Sequence, residues 1–164
     1  MAGSATPATQ ALSKAKVAFQ VHSYEHDPGS ASYGTEAVDA LAGRLGLQPG
    51  QIFKTLVVKT SDSRLAVAVL PVPEKLSLKA VAAALGAGKA VMAEAADAQR
   101  STGYVLGGIS PLGQRKPLPT VVDASATGWD RMLCSAGRRG LEIDLDPADL
   151  VRLTGAVLAP IAAG

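Results

Sequence analysis

Cysteine, aromatic residues and long apolar runs are scarce in this sequence of 164 residues. Its one cysteine, Cys134, excludes an internal disulfide and any site built from several cysteines, and it suits a reducing compartment. Because aromatic residues make up only 4% of the chain, the core must be built from small aliphatic side chains. Because the chain has a single cysteine, redox-cluster and zinc-finger functions are excluded.

Signals for membranes and secretion are also missing. No stretch approaches the roughly 20 consecutive apolar residues that a membrane span requires. The first residues, MAGSATPATQ, lack the basic and apolar regions of a signal peptide. We therefore expect a cytoplasmic protein with no membrane partner. The length suits a single domain over residues 1–164, with the first few residues disordered.

The predicted secondary structure mixes hairpins with crossovers. Capping residues and helical periodicity predict helices over residues 7–17, around 38–45, over 77–85 and 94–99, and from 146 to 155. Alternating patterns and turn residues predict short strands at Phe19–Glu25, Ile52–Val58, Leu65–Leu70, Ala90–Ala93, Tyr104–Leu106, Thr120–Asp123, Met132–Cys134 and Leu141–Leu145. This order favours an α+β domain with one curved, mixed sheet.

Lys54 interrupts an apolar strand. Alternation places it on the same face as Ile52 and Leu56. One interpretation is an edge residue whose ammonium reaches water. The other is an ammonium held at the rim of a pocket, where it binds a phosphate or polarises a carbonyl.

Two glycine-bearing loops form the other candidate features. Segment 107–113 can present backbone N–H groups to a carbonyl or a ribose-linked ester, although a plain multiple turn also explains it. Segment 135–140 leads into a strand with Glu142 and Asp144 on one face. Paired carboxylates could act there as acid and base, but a solvated strand face is the more ordinary interpretation.

The remaining reactive residues match no familiar site. His22 and His26 fall on or beside a strand, where four residues span about 13 Å, so they cannot share a metal ion. Cys134 with His26 could form a nucleophilic dyad, but a lone cysteine in an apolar run is more often a packing residue. Walker and dinucleotide-binding sequences are absent. We predict neither a metal nor a cofactor.

An ordered set of segments makes the chain similar to a known family. The segments are HSYEHDP at 22–28, QIFKTLVV at 51–58, LAVAVLPV at 65–72, QRSTGYVLGGISPLGQRKPLPT at 99–120 and SAGRRGLEIDL at 135–145. They closely resemble the YbaK family of Cys-tRNA(Pro) deacylases, relatives of the editing domain of prolyl-tRNA synthetases. The resemblance implies a barrel-like mixed sheet flanked by helices. It also implies hydrolysis of cysteine wrongly attached to tRNA(Pro), with prolyl-tRNA synthetase as a further partner.

The resemblance also implies which residues form the site. Lys54 matches the family lysine, and it is expected to stabilise charge together with the backbone of Gly108. The expected pocket residues are Tyr24, Tyr33, Gly107, Ile109, Ser110, Pro111, Ser135 and Glu142. Tyr33 and Glu142 stand where a relative has phenylalanine and aspartate. The implied nucleophile is the thiol of the cysteinyl group itself, which removes the need for one in the protein.

Nucleic-acid contacts are expected from two basic pairs in predicted loops, Arg115-Lys116 and Arg138-Arg139. The formal net charge of +2 is too small to indicate nucleic-acid binding by itself, and solvated surface charges also explain the pairs.

Two alternative functions stay open at this point. One is an Ala-tRNA(Pro) deacylase that uses an activated water. The sequence does not separate it from the cysteine enzyme, because pocket size distinguishes small side chains by only about 1–3 kcal/mol. The other is a module that binds tRNA or the synthetase without chemistry. Lys54 on an apolar strand face argues against that module.

Overall fold

A computed structural model describes residues 5–29 and 32–163. These residues form two sheets and five α-helices. The strands are β1 (Phe19–Ser23), β2 (Phe53–Thr60), β3 (Leu65–Pro71), β4 (Ala90–Met92), β5 (Thr120–Asp123), β6 (Met132–Arg138), β7 (Leu141–Leu145) and β8 (Val157–Ala159). The helices are α1 (Pro7–Lys14), α2 (Tyr33–Leu45), α3 (Leu78–Ala84), α4 (Ala95–Thr102) and α5 (Pro147–Thr154). None of these helices is long and apolar enough to cross a bilayer. The disorder expected for the first few residues concerns positions outside the described ones.

The strand order confirms the α+β class. A mixed sheet has the order β4-β2-β3-β5-β8, in which β2 and β3 form an antiparallel hairpin while β5 pairs in parallel with β3 and β8. An antiparallel sheet has the order β1-β7-β6. The described strands are divided between two sheets, one of them mixed as we predicted. An isolated bridge between Ile52 and Leu133 joins them.

Helix ends follow the sequence signals. The Thr6 side chain accepts a hydrogen bond from the Thr9 N–H (3.1 Å) and begins α1. Gly46, at φ 67°, ends α2 in the left-handed conformation. The Asp146 carboxylate accepts from the Ala148 N–H (2.9 Å) and begins α5.

The structure differs from the strand predictions at three places, and the first is β6, which continues through residues 135–138 where we predicted a loop. Segment 104–106 is a turn rather than a strand, because the Gly108 N–H closes back onto the Val105 carbonyl (2.9 Å). In contrast, β8 was not predicted, since three residues after a helix stop give no periodic signal and the strand depends on its pairing with β5.

The two faces of β2 pack into different apolar clusters. Phe53 and Val57 contribute to one cluster, and Val58, with Leu56 packed against it, to the other. In the described part of the chain, β4 pairs with residues 58–60 of β2, and no strand pairs with residues 54–56 on that side. This open edge, next to the bridge between the sheets, is where the cavity lies.

Candidate active site

A cavity of about 260 Å³ lies along the open edge of β2. Residues 52–57 all line it, and successive residues of a strand point to opposite faces, so the cavity must reach around the strand edge. Its polar lining consists of Tyr24, Tyr33, Lys54, Thr55, Ser135 and Glu142. Cavities for drug-sized ligands have about 300–1,000 Å³. The size therefore suits a small ligand or one end of a larger one.

The Lys54 ammonium lines this cavity and is held by main-chain oxygens. Its Nζ donates to the Val72 carbonyl (3.2 Å) and the Glu74 carbonyl (2.6 Å), both just after β3. Burial lowers the pKa of this lysine, and Glu74 acts in the opposite direction. Two of the three ammonium N–H groups are thereby engaged, which leaves one for a ligand.

Thr55 is a cavity residue that sequence reasoning missed. Its hydroxyl oxygen is buried, and within the described part of the chain it has no hydrogen-bond partner. A buried polar group without a partner costs about 1–3 kcal/mol. A bound ligand could satisfy this hydroxyl, whereas a threonine in a strand carries no distinguishing signal in the sequence.

The main chain of Thr55 also faces the open edge. Hydrogen bonds from the Val72 N–H to the Ile52 carbonyl (2.8 Å) and from the Thr60 N–H to the Arg64 carbonyl (2.8 Å) show that even-numbered residues bond to β3. In an antiparallel pair the residues between them direct their N–H and C=O groups to the other side. Thr55 therefore adds main-chain donor and acceptor groups to the cavity wall.

The two carboxyls of β7 have different surroundings. Asp144 lies 2.9 Å from His22 Nε2 and accepts hydrogen bonds from Arg131. Glu142 lines the cavity, and burial raises its pKa to about 8. The expectation of a solvated strand face is wrong, because both carboxyls are buried in the middle strand of the antiparallel sheet. This raised pKa favours the protonated form of Glu142, which can donate a hydrogen bond.

The two cavity tyrosines are fixed by contacts between the segment after β1 and α2. The Tyr24 N–H donates to the Gly140 carbonyl (2.9 Å), and burial, with Glu142 adding to it, raises the Tyr24 pKa to about 12. The Glu36 carboxylate lies 2.7 Å from His26 Nδ1 and accepts from the Asp27 N–H (2.9 Å). These contacts attach the segment that carries Tyr24 to the helix that begins at Tyr33.

The loop over residues 106–109 contributes to the cavity lining, and it is held by hydrogen bonds to the main-chain N–H and C=O groups of Leu106. Its N–H donates to Gln99 Oε1 (2.9 Å), and its carbonyl accepts from Arg139 Nε (2.7 Å). The Arg139 guanidinium also lies over the Tyr33 ring, 4.7 Å from its centroid. Arg139, a predicted tRNA contact, is therefore engaged at the cavity mouth.

Only part of the predicted glycine loop lines the cavity. The predicted residues that come together are Tyr24, Tyr33, Lys54, Gly107, Ile109, Ser135 and Glu142. Gly108 lies outside the lining, and its N–H is used by Val105. Ser110 and Pro111 are buried behind the loop, where Ser110 Oγ accepts from the Leu112 N–H (3.2 Å). Any main-chain group of this loop that stabilises charge on a ligand would therefore belong to Gly107 or Ile109.

Cys134 lies outside the cavity lining. It is fully buried, and burial raises its thiol pKa. His26, the base considered for a dyad, is bonded to Glu36. The interpretation of Cys134 as a packing residue therefore agrees with the structure. Across residues 5–29 and 32–163, no three His, Cys, Asp or Glu side chains are arranged to hold a metal ion.

We expect Gly107→Ala to lower any activity of this cavity by up to about 10²-fold, because a displaced loop misplaces the ligand. The residue has φ +82°, and an added Cβ would lie 2.5 Å from Tyr33 Cγ. Gly43→Ala in α2 is the matched control, since its Cβ would meet no atom of the described residues outside the helix's own backbone within 4 Å. That variant should keep full activity and gain up to about 1 kcal/mol of stability. Equal activities of the two variants in a turnover assay would contradict the role given to the loop.

Comparison with known proteins shows which family the chain belongs to. Residues 34–153 match the family model described as the aminoacyl-tRNA editing domain. The chain belongs to this family. The editing domain is 38% identical over 125 residues to an Enterococcus faecalis (strain ATCC 700802 / V583) protein named "Putative Cys-tRNA(Pro)/Cys-tRNA(Cys) deacylase EbsC", and the match covers 76% of each chain. The resemblance inferred from the ordered segments is confirmed.

Solved structures share the fold of this editing domain. One is described as a "putative trans-editing enzyme for prolyl tRNA synthetase", with a TM-score of 0.80 and 24% identity over 100% of this chain and 99% of that chain. Another, of hypothetical protein APE2540, has a TM-score of 0.82 and 22% identity over 96% of this chain and 100% of that chain. At these identities the likeness concerns the fold.

Proposed function

We propose that this editing domain hydrolyses the ester of Cys-tRNA(Pro). The observation that carries the proposal is a small cavity with an ammonium, an unpartnered hydroxyl and a buried carboxyl, in which no nucleophile is bonded to a base among the described lining residues. Both histidines are bonded to carboxylates, His22 to Asp144 and His26 to Glu36. The name of the Enterococcus faecalis relative supports cysteine as the amino acid.

The proposed reaction uses the thiol of the substrate. The thiol loses its proton, and the sulfur attacks the ester carbonyl carbon. A C–S bond forms and the C–O bond to the ribose breaks, so the ribose oxygen takes up a proton and a cyclic thioester is released, which water then opens to cysteine. Well-oriented internal nucleophiles reach effective concentrations of about 10⁵ M or more, so positioning supplies much of the rate.

The cavity residues have separate roles in this proposal. The free N–H of the Lys54 ammonium stabilises negative charge that develops on the ester or ribose oxygen. The Thr55 hydroxyl and the protonated Glu142 orient polar groups of the aminoacyl ester, and Tyr24, Tyr33 and Ser135 form the surrounding wall. A complex with prolyl-tRNA synthetase remains a prediction from the family resemblance, and a cytoplasmic location remains a prediction from the sequence signals.

The test compares purified protein on Cys-, Ser- and Ala-tRNA(Pro). If the substrate thiol attacks, the cysteine ester should be cleaved at least about tenfold faster than the serine ester, because a hydroxyl is a much weaker nucleophile while binding separates the two only modestly. Equal rates for cysteine and serine would contradict substrate assistance. Fastest cleavage of the alanine ester would favour the activated-water alternative, and binding without cleavage would favour the non-catalytic module.

A further inference from the structure

A second, basic groove lies near the other end of β2. It is lined by Lys59, Arg64 and Lys116, with Asp97 as its one carboxylate. Lys59 and Lys116 are exposed, and within residues 5–29 and 32–163 neither forms an ion pair. These two ammonium groups are therefore available to an anionic partner.

The carboxylates around this groove are already neutralised. Asp97 is paired with Arg100, and Asp62 is paired with Arg64 (2.7 Å between Arg64 Nε and Asp62 Oδ2). Both ion pairs are exposed and compensate one charge each. The uncompensated charge of the groove is thus that of Lys59 and Lys116, and it is positive.

The groove and the cavity are adjacent along two shared elements. Lys54 and Lys59 lie five residues apart on β2, which corresponds to about 17 Å. Helix α4 separates the two sites, because Ala98 lines the cavity while Asp97 and Ser101 line the groove. At 3.4 Å for each stacked nucleotide of one strand, about 17 Å corresponds to about five nucleotides.

We propose that this groove binds backbone phosphates of the tRNA strand whose terminal ester occupies the cavity. The inference rests on the proposed function, and it adds a cation that the sequence did not indicate, Lys59. Of the predicted pairs, it retains Lys116. The Arg115 side chain lies against Gly103, within 3.5 Å of the position a Cβ would take there, and Arg139 is engaged by Tyr33 and Leu106.

The test is a double variant, Lys59→Ala with Lys116→Ala, against a control with the same loss of charge. The control is Lys14→Ala with Lys79→Ala, because both lysines are exposed and line neither the cavity nor the groove. Each is assayed on Cys-tRNA(Pro) and on 3′-cysteinyl adenosine across a salt series. The groove variant should raise KM for the tRNA substrate about tenfold and reduce the salt slope by up to about 2, with the small ester unaffected.

Binding of uncharged tRNA(Pro) is measured in parallel, since it does not depend on chemistry. Weaker binding of tRNA(Pro) by the groove variant than by the control supports the groove as a tRNA-binding site, even if no ester is cleaved. Equal binding and equal salt slopes in the two variants would overturn it. If the unmodified protein cleaves neither ester, the proposed function fails, while the binding measurement still decides the groove.

Discussion

Lys54→Ala is expected to lower hydrolysis of Cys-tRNA(Pro) by roughly 10²–10³-fold, the usual effect of removing one donor that stabilises developing charge. The Lys54 Nζ donates to the Val72 and Glu74 carbonyls and lines the cavity, so its position is fixed before substrate arrives. Single-turnover rates on the charged tRNA measure the effect directly. Because the ammonium is expected to act on the reacting ester, the same loss should appear with 3′-cysteinyl adenosine.

Stability should change much less than activity in this variant. Alanine removes two hydrogen bonds of about 1 kcal/mol each, but it also removes a partly desolvated charge. Lys54→Arg should also be slow, because a planar guanidinium does not reproduce the compact ammonium held by two carbonyls. Lys79→Ala serves as the control for the loss of an exposed charge. A Lys54→Ala variant with normal single-turnover rates would remove Lys54 from the mechanism.

Glu142→Gln is expected to make stability less dependent on pH. The pKa of Glu142 is raised from 4.5 to about 8 by burial, so between these values the folded protein holds a proton that the unfolded chain has released. The contribution of Glu142 to the free energy of unfolding therefore falls as pH rises through this window, by on the order of a few kcal/mol. Glutamine does not titrate. Urea unfolding at pH 5 and pH 9 should show the variant gaining stability relative to the natural protein at the higher pH.

Asp144→Asn is the matched control, two positions away on the same strand. It removes a carboxylate that is paired with His22 and Arg131, so the variant should be less stable than the natural protein at neutral pH. If the two variants respond to pH in the same way, burial does not raise the pKa of Glu142 as described above. Activity measured alongside shows whether the Glu142 side chain also orients the substrate.

The sequence predicts much of the fold because its local signals agree with the tertiary structure. Thr6, Gly46 and Asp146 mark helix ends through bonds within a few residues, and the hairpin of β2 and β3 follows from alternation around a polar turn. Strand β8 depends on a distant partner, β5, which no local pattern reveals. The same distinction separates Lys54, which interrupts an apolar pattern, from Thr55, whose importance arises from the short pairing of β4.

The glycine loop shows a second limit of sequence reasoning. Gly107 and Gly108 are equivalent as a pattern, yet Gly107 lines the cavity while Gly108 packs against β6, where an added Cβ would lie 2.9 Å from Arg138 Cα. Glu142 and Asp144 are likewise equivalent by alternation, and only the surrounding strands give one a partner and leave the other in the cavity wall.

The isolated bridge between Ile52 and Leu133 has a consequence for how amino-acid selectivity can change. Walls of the cavity belong to both sheets, and this bridge is the isolated backbone pairing between them among the described residues. The width of the cavity is therefore set mainly by side-chain packing across this junction. Leu133 is fully buried there and does not line the cavity. Under the proposed function, conservative changes at such positions would alter which amino acid fits while every residue that lines the cavity stays the same.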